Sequence, residues 1–201
     1  MMSVEFWDQS FSVEEFIYGK RENAFINEMS NKFLKKSFTI GCFAEGEGRN
    51  AVFLAQQGHD VTVYDQSAVG LQKARQLAEE MNVQINVEQC DLTKEEVTPD
   101  QFDVAVMVFG HVPKQNQAFF MKNIADSVKP GGYIIFEVYS ENQLNYQTGG
   151  PNSIEMLYNP VDILKWAEGY KCLHFYYGEA DRQEGDRHNG LSHVIQVAMQ
   201  K

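Results

Sequence analysis

Short apolar runs along this chain alternate with stretches in which apolar residues recur every three or four positions. The first pattern marks strands and the second amphipathic helices. Before residue 140 the runs predict five strands: Thr39–Phe43, Val61–Tyr64, Gln84–Gln89, Phe102–Phe109 and Tyr133–Val138. Phe102–Phe109 is almost continuously apolar, as suits a central parallel strand covered on both faces. Helical spacing predicts segments from Arg49 to a stop at Gly58, from Ala68 to Met81, from Gln115 to Val128 and from Pro160 to Glu168. Asn23 reads as the N-cap of an earlier helix whose buried face is Phe25, Ile26, Met29, Phe33 and Leu34. Pro130-Gly131-Gly132 reads as a turn. The tail adds strands Tyr170–Tyr177 and His193–Met199 around the charged stretch GEADRQEGDRHNG, a long antiparallel hairpin. Strands alternating with helices mean an α/β fold: a doubly wound, mostly parallel, seven-stranded sheet with a C-terminal antiparallel hairpin.

Such sheets bind ligands outside the carboxyl ends of their strands, near the point where strand order reverses. Four features fall there. The stretch Ile40–Ala51, IGCFAEGEGRNA, runs from strand to helix through Gly46 and Gly48, where missing side chains permit a sharp bend and close approach of a ligand. The helix that follows offers N–H groups to an anion or carboxylate. Asp65 ends the second strand and suits two ribose hydroxyls, with helix capping as its plainer use. Asp91 follows the third strand, as an acceptor for an adenine amino group beside Leu92 or as a turn residue. His111 follows the fourth strand, where it is either the catalytic base for an acceptor or a hydrogen-bonded loop histidine. Glu45 and Glu47 in the loop oppose a pyrophosphate and suit an ammonium or sulfonium ligand.

Composition narrows the partners. The 201 residues suit a single domain with a substantial core. A formal net charge of −11 argues against nucleic acid and anionic membrane surfaces. No apolar run reaches membrane-spanning length and no signal peptide is evident, so the expectation is a cytoplasmic protein. Cys42, Cys90 and Cys172 form neither a disulfide framework nor a zinc spacing and read mostly as small core residues. No metal site is expected.

Several separated segments agree in order with one family. AEGEGRNAVFLAQQGHDVTVYDQS, CDL at 90–92, KPGGYIIFEVYS and TGGP at 148–151, with FWDQSF and YGK near the start and EGDRHNG near the end, resemble class I S-adenosylmethionine-dependent methyltransferases, which have a Rossmann-like fold. The branch resembled is that of the tellurite-resistance and thiopurine methyltransferases. The resemblance implies S-adenosyl-L-methionine as cofactor and S-adenosyl-L-homocysteine as product. It implies that Ala44, Glu45, Gly46, Gly48 and Arg49 hold the methionine part, Asp65 the ribose with Tyr64 beside it, and Asp91 and Leu92 the adenine. Val108 and Phe109 would offer main chain to the cofactor's amino group. The chain departs from the family loop in having Cys42 for the usual strand acid and Ala44 for the usual first glycine, so Glu45 is expected to replace that acid.

With no separate substrate domain, the expected acceptor is a small molecule such as a thiol or a chalcogen oxyanion like tellurite. Residues 1–36 read as a helical cap, 37–139 as the cofactor half and 140–201 as the substrate half of one domain. Tyr18 and Tyr139 are expected to wall the substrate pocket, and Arg187 and His188 to bind an anionic acceptor. Trp7 and Phe11 read as lid or core. Two alternatives remain: an NAD(P)-dependent oxidoreductase, since GEGRNA also fits G-x-G-x-x-A, and a cofactor-binding module without turnover. The sequence assigns no oligomeric state.

Overall fold

The computed structural model of the chain describes residues 3–201; the first two residues of the expected cap lie outside it. Helices α1 (Val4–Phe11) and α2 (Ala24–Phe33) precede strand β1 (Thr39–Phe43). There follow α3 (Arg49–Gln56), β2 (Asp60–Asp65), α4 (Ala68–Glu80), β3 (Asn86–Gln89), β4 (Phe102–Val108), α5 (Lys114–Asp126), β5 (Val128–Tyr139), α6 (Pro160–Trp166), β6 (Lys171–Glu184) and β7 (His188–Gln200). The seven strands form one sheet in the order β3-β2-β1-β4-β5-β7-β6. The first five are parallel and β7 is antiparallel to both neighbours.

Strand order reverses between β1 and β4, which pair directly from Ile40–Val104 to Phe43–Met107. These two strands are nearly fully buried because each carries apolar residues on both faces. One core layer, including Phe43, Phe102, Phe120 and Phe136, fills one face of the sheet. A second, including Phe25, Met29, Leu54 and Val106, fills the other. Edge strand β3 is short and polar, which discourages pairing with another chain.

Two boundaries differ from expectation. Pro130–Gly132 does not end the chain's extended course: it is absorbed into β5, where a register shift separates the Phe102–Val128 pair from Val104–Tyr133. The hairpin is much longer than its apolar residues suggest. Most of the charged stretch is strand, paired from Lys171–Gln200 out to Glu184–His188. Along β6, Arg182 and Glu184 are buried while Asp181 and Gln183 are exposed, a period-two alternation carried by charged groups. Of the cysteines, Cys42 and Cys90 are buried but Cys172 is exposed.

The buried charges of the hairpin find partners. Glu137 on β5 accepts from Arg182 Nε at 2.8 Å, from the same guanidinium's Nη2, from Gln196 at 2.5 Å and from Asn23 Nδ2 at 3.0 Å. Glu184 accepts from the same Asn23 nitrogen at 2.8 Å and from Arg49 Nη2 at 2.6 Å. Asn23 Oδ1 meanwhile accepts from Phe25 N and Ile26 N, so one amide caps α2 and ties it to both carboxylates.

Candidate active site

The carboxyl ends of β1 to β4, the N-terminal segment and the hairpin tip enclose a cavity of about 320 Å³, within the size range of small-molecule sites. Of the expected cofactor residues, Ala44, Glu45, Gly46, Arg49, Asp65, Asp91, Leu92, Val108 and Phe109 line it. Gly48 and Tyr64 do not. The Gly48 backbone, at φ +87°, faces α4, where an added Cβ would come within 2.6 Å of Ala74 Cβ. Tyr64 points away because successive strand residues face opposite sides; its ring stacks on Phe43 with centroids 5.1 Å apart. At Gly46 the close approach is made by Phe11, whose ring would lie 2.9 Å from an added Cβ. These glycines are therefore required by packing and by their left-handed backbone.

The loop's amides are already engaged by the chain itself. Gly48 occupies the N-cap of α3 without a side chain to offer. Glu45 supplies the missing acceptor: its Oε1 receives N–H bonds from Asn50 at 2.7 Å and Ala51 at 3.0 Å. A carboxylate there also complements the helix dipole. Asp65 Oδ2 accepts from Gly46 N at 2.8 Å and Oδ1 from Ser67 N at 2.8 Å. Two of the helix N–H groups expected from the sequence to be free are thus occupied by Glu45, and the loop amide of Gly46 by Asp65. Glu47 pairs with Lys73 at 2.6 Å, beneath the loop. Asp65 and Glu45 have no basic partner within 4 Å among the described residues. Burial pushes the Asp65 carboxyl up to about 6, against its two amide hydrogen bonds, and raises Glu45 as well.

Asp91 is held more loosely at the surface. Oδ1 accepts from Thr93 N at 3.1 Å and from its hydroxyl at 2.6 Å, and Oδ2 pairs with Lys94 at 2.6 Å. Leu92 is buried beside it. Across the switch point, Ala44 and Phe109 leave β1 and β4 with φ of +50° and +54°, a conformation that is strained for residues with a Cβ. Phe109 N is bonded to Glu137 O at 2.8 Å.

His111 does not have the form of a base. Nδ1 lies 2.7 Å from Met156 O, which requires a proton on Nδ1, and Nε2 accepts from Tyr139 N at 3.4 Å. Burial pushes it down to about 4, so the ring stays neutral with both nitrogens spent on main chain. The loop-histidine use is the one the structure displays.

The substrate-side residues divide. Tyr18 lines the cavity, with burial pushing its hydroxyl up to about 12. Tyr139 is fully buried behind Phe109, stacked at 4.2 Å, and does not reach the wall. Arg187 is exposed at the mouth, whereas His188 is buried and lines the interior. Trp7 and Phe11, stacked at 5.5 Å, cover the glycine loop and line the cavity too. Sequence reading missed Glu184, which lies behind His188. Its signal was the i, i+2 pair Arg182/Glu184, which a search for apolar alternation passes over.

Among the described residues no cluster of His, Cys, Asp and Glu has the form of a metal site, and no helix is long and apolar enough to cross a membrane.

Comparison with known proteins agrees with this architecture. Residues 40–132 match the methyltransferase domain family. The chain is 28% identical over 152 residues to a ubiquinone biosynthesis O-methyltransferase of Pectobacterium carotovorum, covering 68% of this chain and 62% of that one. It is 24% identical over 146 residues to the probable S-adenosyl-L-methionine-dependent methyltransferase TehB of Haemophilus influenzae, covering 69% and 50%. The chain thus spans about half to three fifths of these relatives. In fold it is similar to the N-methyltransferase NodS of Bradyrhizobium japonicum, solved in complex with S-adenosyl-L-homocysteine, with a TM-score of 0.72 at 13% identity over 98% of this chain and 97% of that one. With the β3-β2-β1-β4-β5-β7-β6 sheet and the glycine loop at its switch point, the chain has the fold of the class I S-adenosylmethionine-dependent methyltransferases, matches the methyltransferase domain family over residues 40–132 and is similar in sequence to the branch that includes TehB.

Proposed function

We propose that this protein transfers the methyl group of S-adenosyl-L-methionine to a small-molecule acceptor. The observation that carries the reading is the state of the loop: the amides that would cradle a pyrophosphate are taken by Glu45 and Asp65, and neither carboxylate has a basic partner among the described residues. That wall opposes a dinucleotide and suits a ligand with a positive sulfonium and ammonium and hydrogen-bond-donating hydroxyls. Bound there, the cofactor supplies an activated methyl with a neutral leaving group. Asp65 would accept from ribose hydroxyls, Asp91 and Leu92 would flank the base, and the strained ends at Ala44 and Phe109 would present main chain to the methionine part. Tyr18, Phe109, Arg187 and His188 would hold the acceptor at the other end of the cavity. Alignment of acceptor and methyl then supplies much of the acceleration.

The acceptor class extends from thiols and chalcogen oxyanions such as tellurite to hydroxyls, the last supported by the O-methyltransferases among the relatives. The charge of −11 works against a polyanionic partner, and three free cysteines fit a reducing cytoplasm. Calorimetry with S-adenosylhomocysteine and with NAD, followed by labelled methyl transfer to tellurite, selenite, small thiols and phenols, tests the reading. Micromolar binding of the first ligand and none of the second is expected. Tight NAD binding, or binding without transfer to any acceptor class, would overturn it.

A further inference from the structure

His188 is the one cavity-lining histidine whose ring nitrogens make no hydrogen bond within the protein among the described residues. Its ring is buried, 5% exposed, at the start of β7. Three aromatic rings hold it: Phe109 edge-on at 4.6 Å, Tyr18 at 4.7 Å and Tyr139 at 5.3 Å. Behind it Glu184 Oε2 lies 3.8 Å from Nδ1 and is anchored by Arg49 at 2.6 Å. A polar ring nine-tenths buried in a ligand cavity without a partner is costly unless a ligand completes it. His111, with both nitrogens bonded to main chain, shows what a structural histidine looks like in the same cavity.

We propose that His188, rather than His111, is the general base of this site, and that its acceptor is a planar aromatic molecule with a dissociable O–H or S–H. This deepens the methyltransferase reading and rests on it. The carboxylate beside Nδ1 favours the tautomer with its proton there, which leaves the Nε2 lone pair for the acceptor. The acceptor's O–H or S–H bond breaks as its proton passes to Nε2. The freed electron pair forms the new bond to the methyl carbon, and the carbon–sulfonium bond breaks with its electrons going to sulfur. Products are the methylated acceptor, neutral-sulfur S-adenosylhomocysteine and one proton on His188, which then leaves to solvent. The aromatic walls Tyr18 and Phe109 suit a flat acceptor. Arg187, exposed at the mouth with no carboxylate within 4 Å among the described residues, suits a negative substituent on it.

The charge environment gives His188 a different role from anion binding. Burial lowers its proton affinity against the opposing pull of the Glu184 carboxylate, and Arg49 and Arg182 act, more weakly, in the same direction as burial. Tyr18 and Tyr139, the titratable groups packed on its ring, are themselves pushed up by burial and remain neutral. The ring is therefore uncharged at neutral pH, able to receive a proton and unable to attract an anion. The cation of the pair is Arg187 alone.

The test uses the full chain and His188→Gln, with catechol as an un-ionised acceptor and 4-nitrothiophenol as one already ionised at neutral pH. His188→Gln should lose about 10²–10³-fold in kcat/KM for catechol and less than about tenfold for 4-nitrothiophenol, the range expected for a general base. The acid limb of the catechol pH profile, placed below the ordinary histidine value, should vanish. S-adenosylhomocysteine affinity should be unchanged. Independently of turnover, nitrogen NMR of the free wild-type protein should show His188 neutral with its proton on Nδ1, and catechol should shift the Nε2 resonance. Equal losses for both acceptors, a proton on Nε2, or a wild type that methylates neither aromatic would overturn the proposal while cofactor binding stood. Failure of wild type to bind S-adenosylhomocysteine would overturn the cofactor reading and this one together.

Discussion

Asn50 N donates to Glu45 Oε1 at 2.7 Å, five residues back across the glycine loop. That bond gives the residue expected to hold the methionine ammonium a structural use as well. Glu45 acts first as the side chain that Gly48, the actual N-cap, lacks. Glycine cannot be replaced at that position by an ordinary capping residue, because φ is +87° and Ala74 fills the space where a Cβ would go. Cap and bend are divided between two residues three apart.

Glu45→Ala should therefore lower the stability of the ligand-free protein by about 1–2 kcal/mol, the usual worth of a buried cap. Urea denaturation without ligand measures this. Glu45→Gln, which keeps an oxygen for Asn50 N and Ala51 N, should recover most of the loss and bind S-adenosylhomocysteine within about tenfold of wild type. An unchanged denaturation midpoint in Glu45→Ala, combined with a far larger loss of affinity in Glu45→Gln, would return the residue to direct ammonium binding.

Asp65 sets a pH dependence with a definite sign. Its carboxyl is raised by burial from 3.8 to about 6, so the folded, ligand-free protein holds this proton more tightly than the unfolded chain. The stabilisation it contributes is complete below pH 3.8 and is lost as pH rises through about 6. A ligand whose hydroxyls donate to Asp65 selects the ionised form. S-adenosylhomocysteine affinity should then be flat above about pH 7 and fall by up to tenfold per unit below pH 6. Calorimetry from pH 5 to 8 in wild type and Asp65→Asn checks it; the variant should bind weakly with no such fall. An affinity that rises on acidification would contradict the ribose contact.

Asn23 joins the N-terminal segment to the hairpin. Replacing it by alanine removes the α2 cap and leaves Glu137 and Glu184 each short of a donor in a buried place. The cost should be about 2–4 kcal/mol, the sum of a lost cap and unsatisfied buried acceptors, rather than about 1 kcal/mol for the cap alone. Denaturation of Asn23→Ala beside Asn23→Asp separates the contributions. Aspartate retains the cap oxygen but adds a third carboxylate, so it should be no better than alanine. A loss near 1 kcal/mol in alanine would mean the carboxylate contacts carry little.

Much of this molecule is legible in one dimension. The apolar runs at Thr39–Phe43 and Phe102–Val108 identify central strands, because residues buried on both faces have no polar alternation to blur them. Asn23 announces a helix start through local bonds that need no distant partner. Glycines 46 and 48 and Asp65, about twenty residues on, locate the switch-point rim, since connectivity alone brings strand ends to one side. What each polar group does there was decided by packing. Whether Glu45 meets a ligand or a helix, whether His111 or His188 keeps a free nitrogen, and whether Arg182 and Glu184 lie in a loop or inside a strand depend on neighbours up to about 160 residues distant, as with Asn23 and Glu184. Apolar burial is a property a residue carries with it. Hydrogen-bond satisfaction belongs to pairs, and only the folded chain determines the pairs.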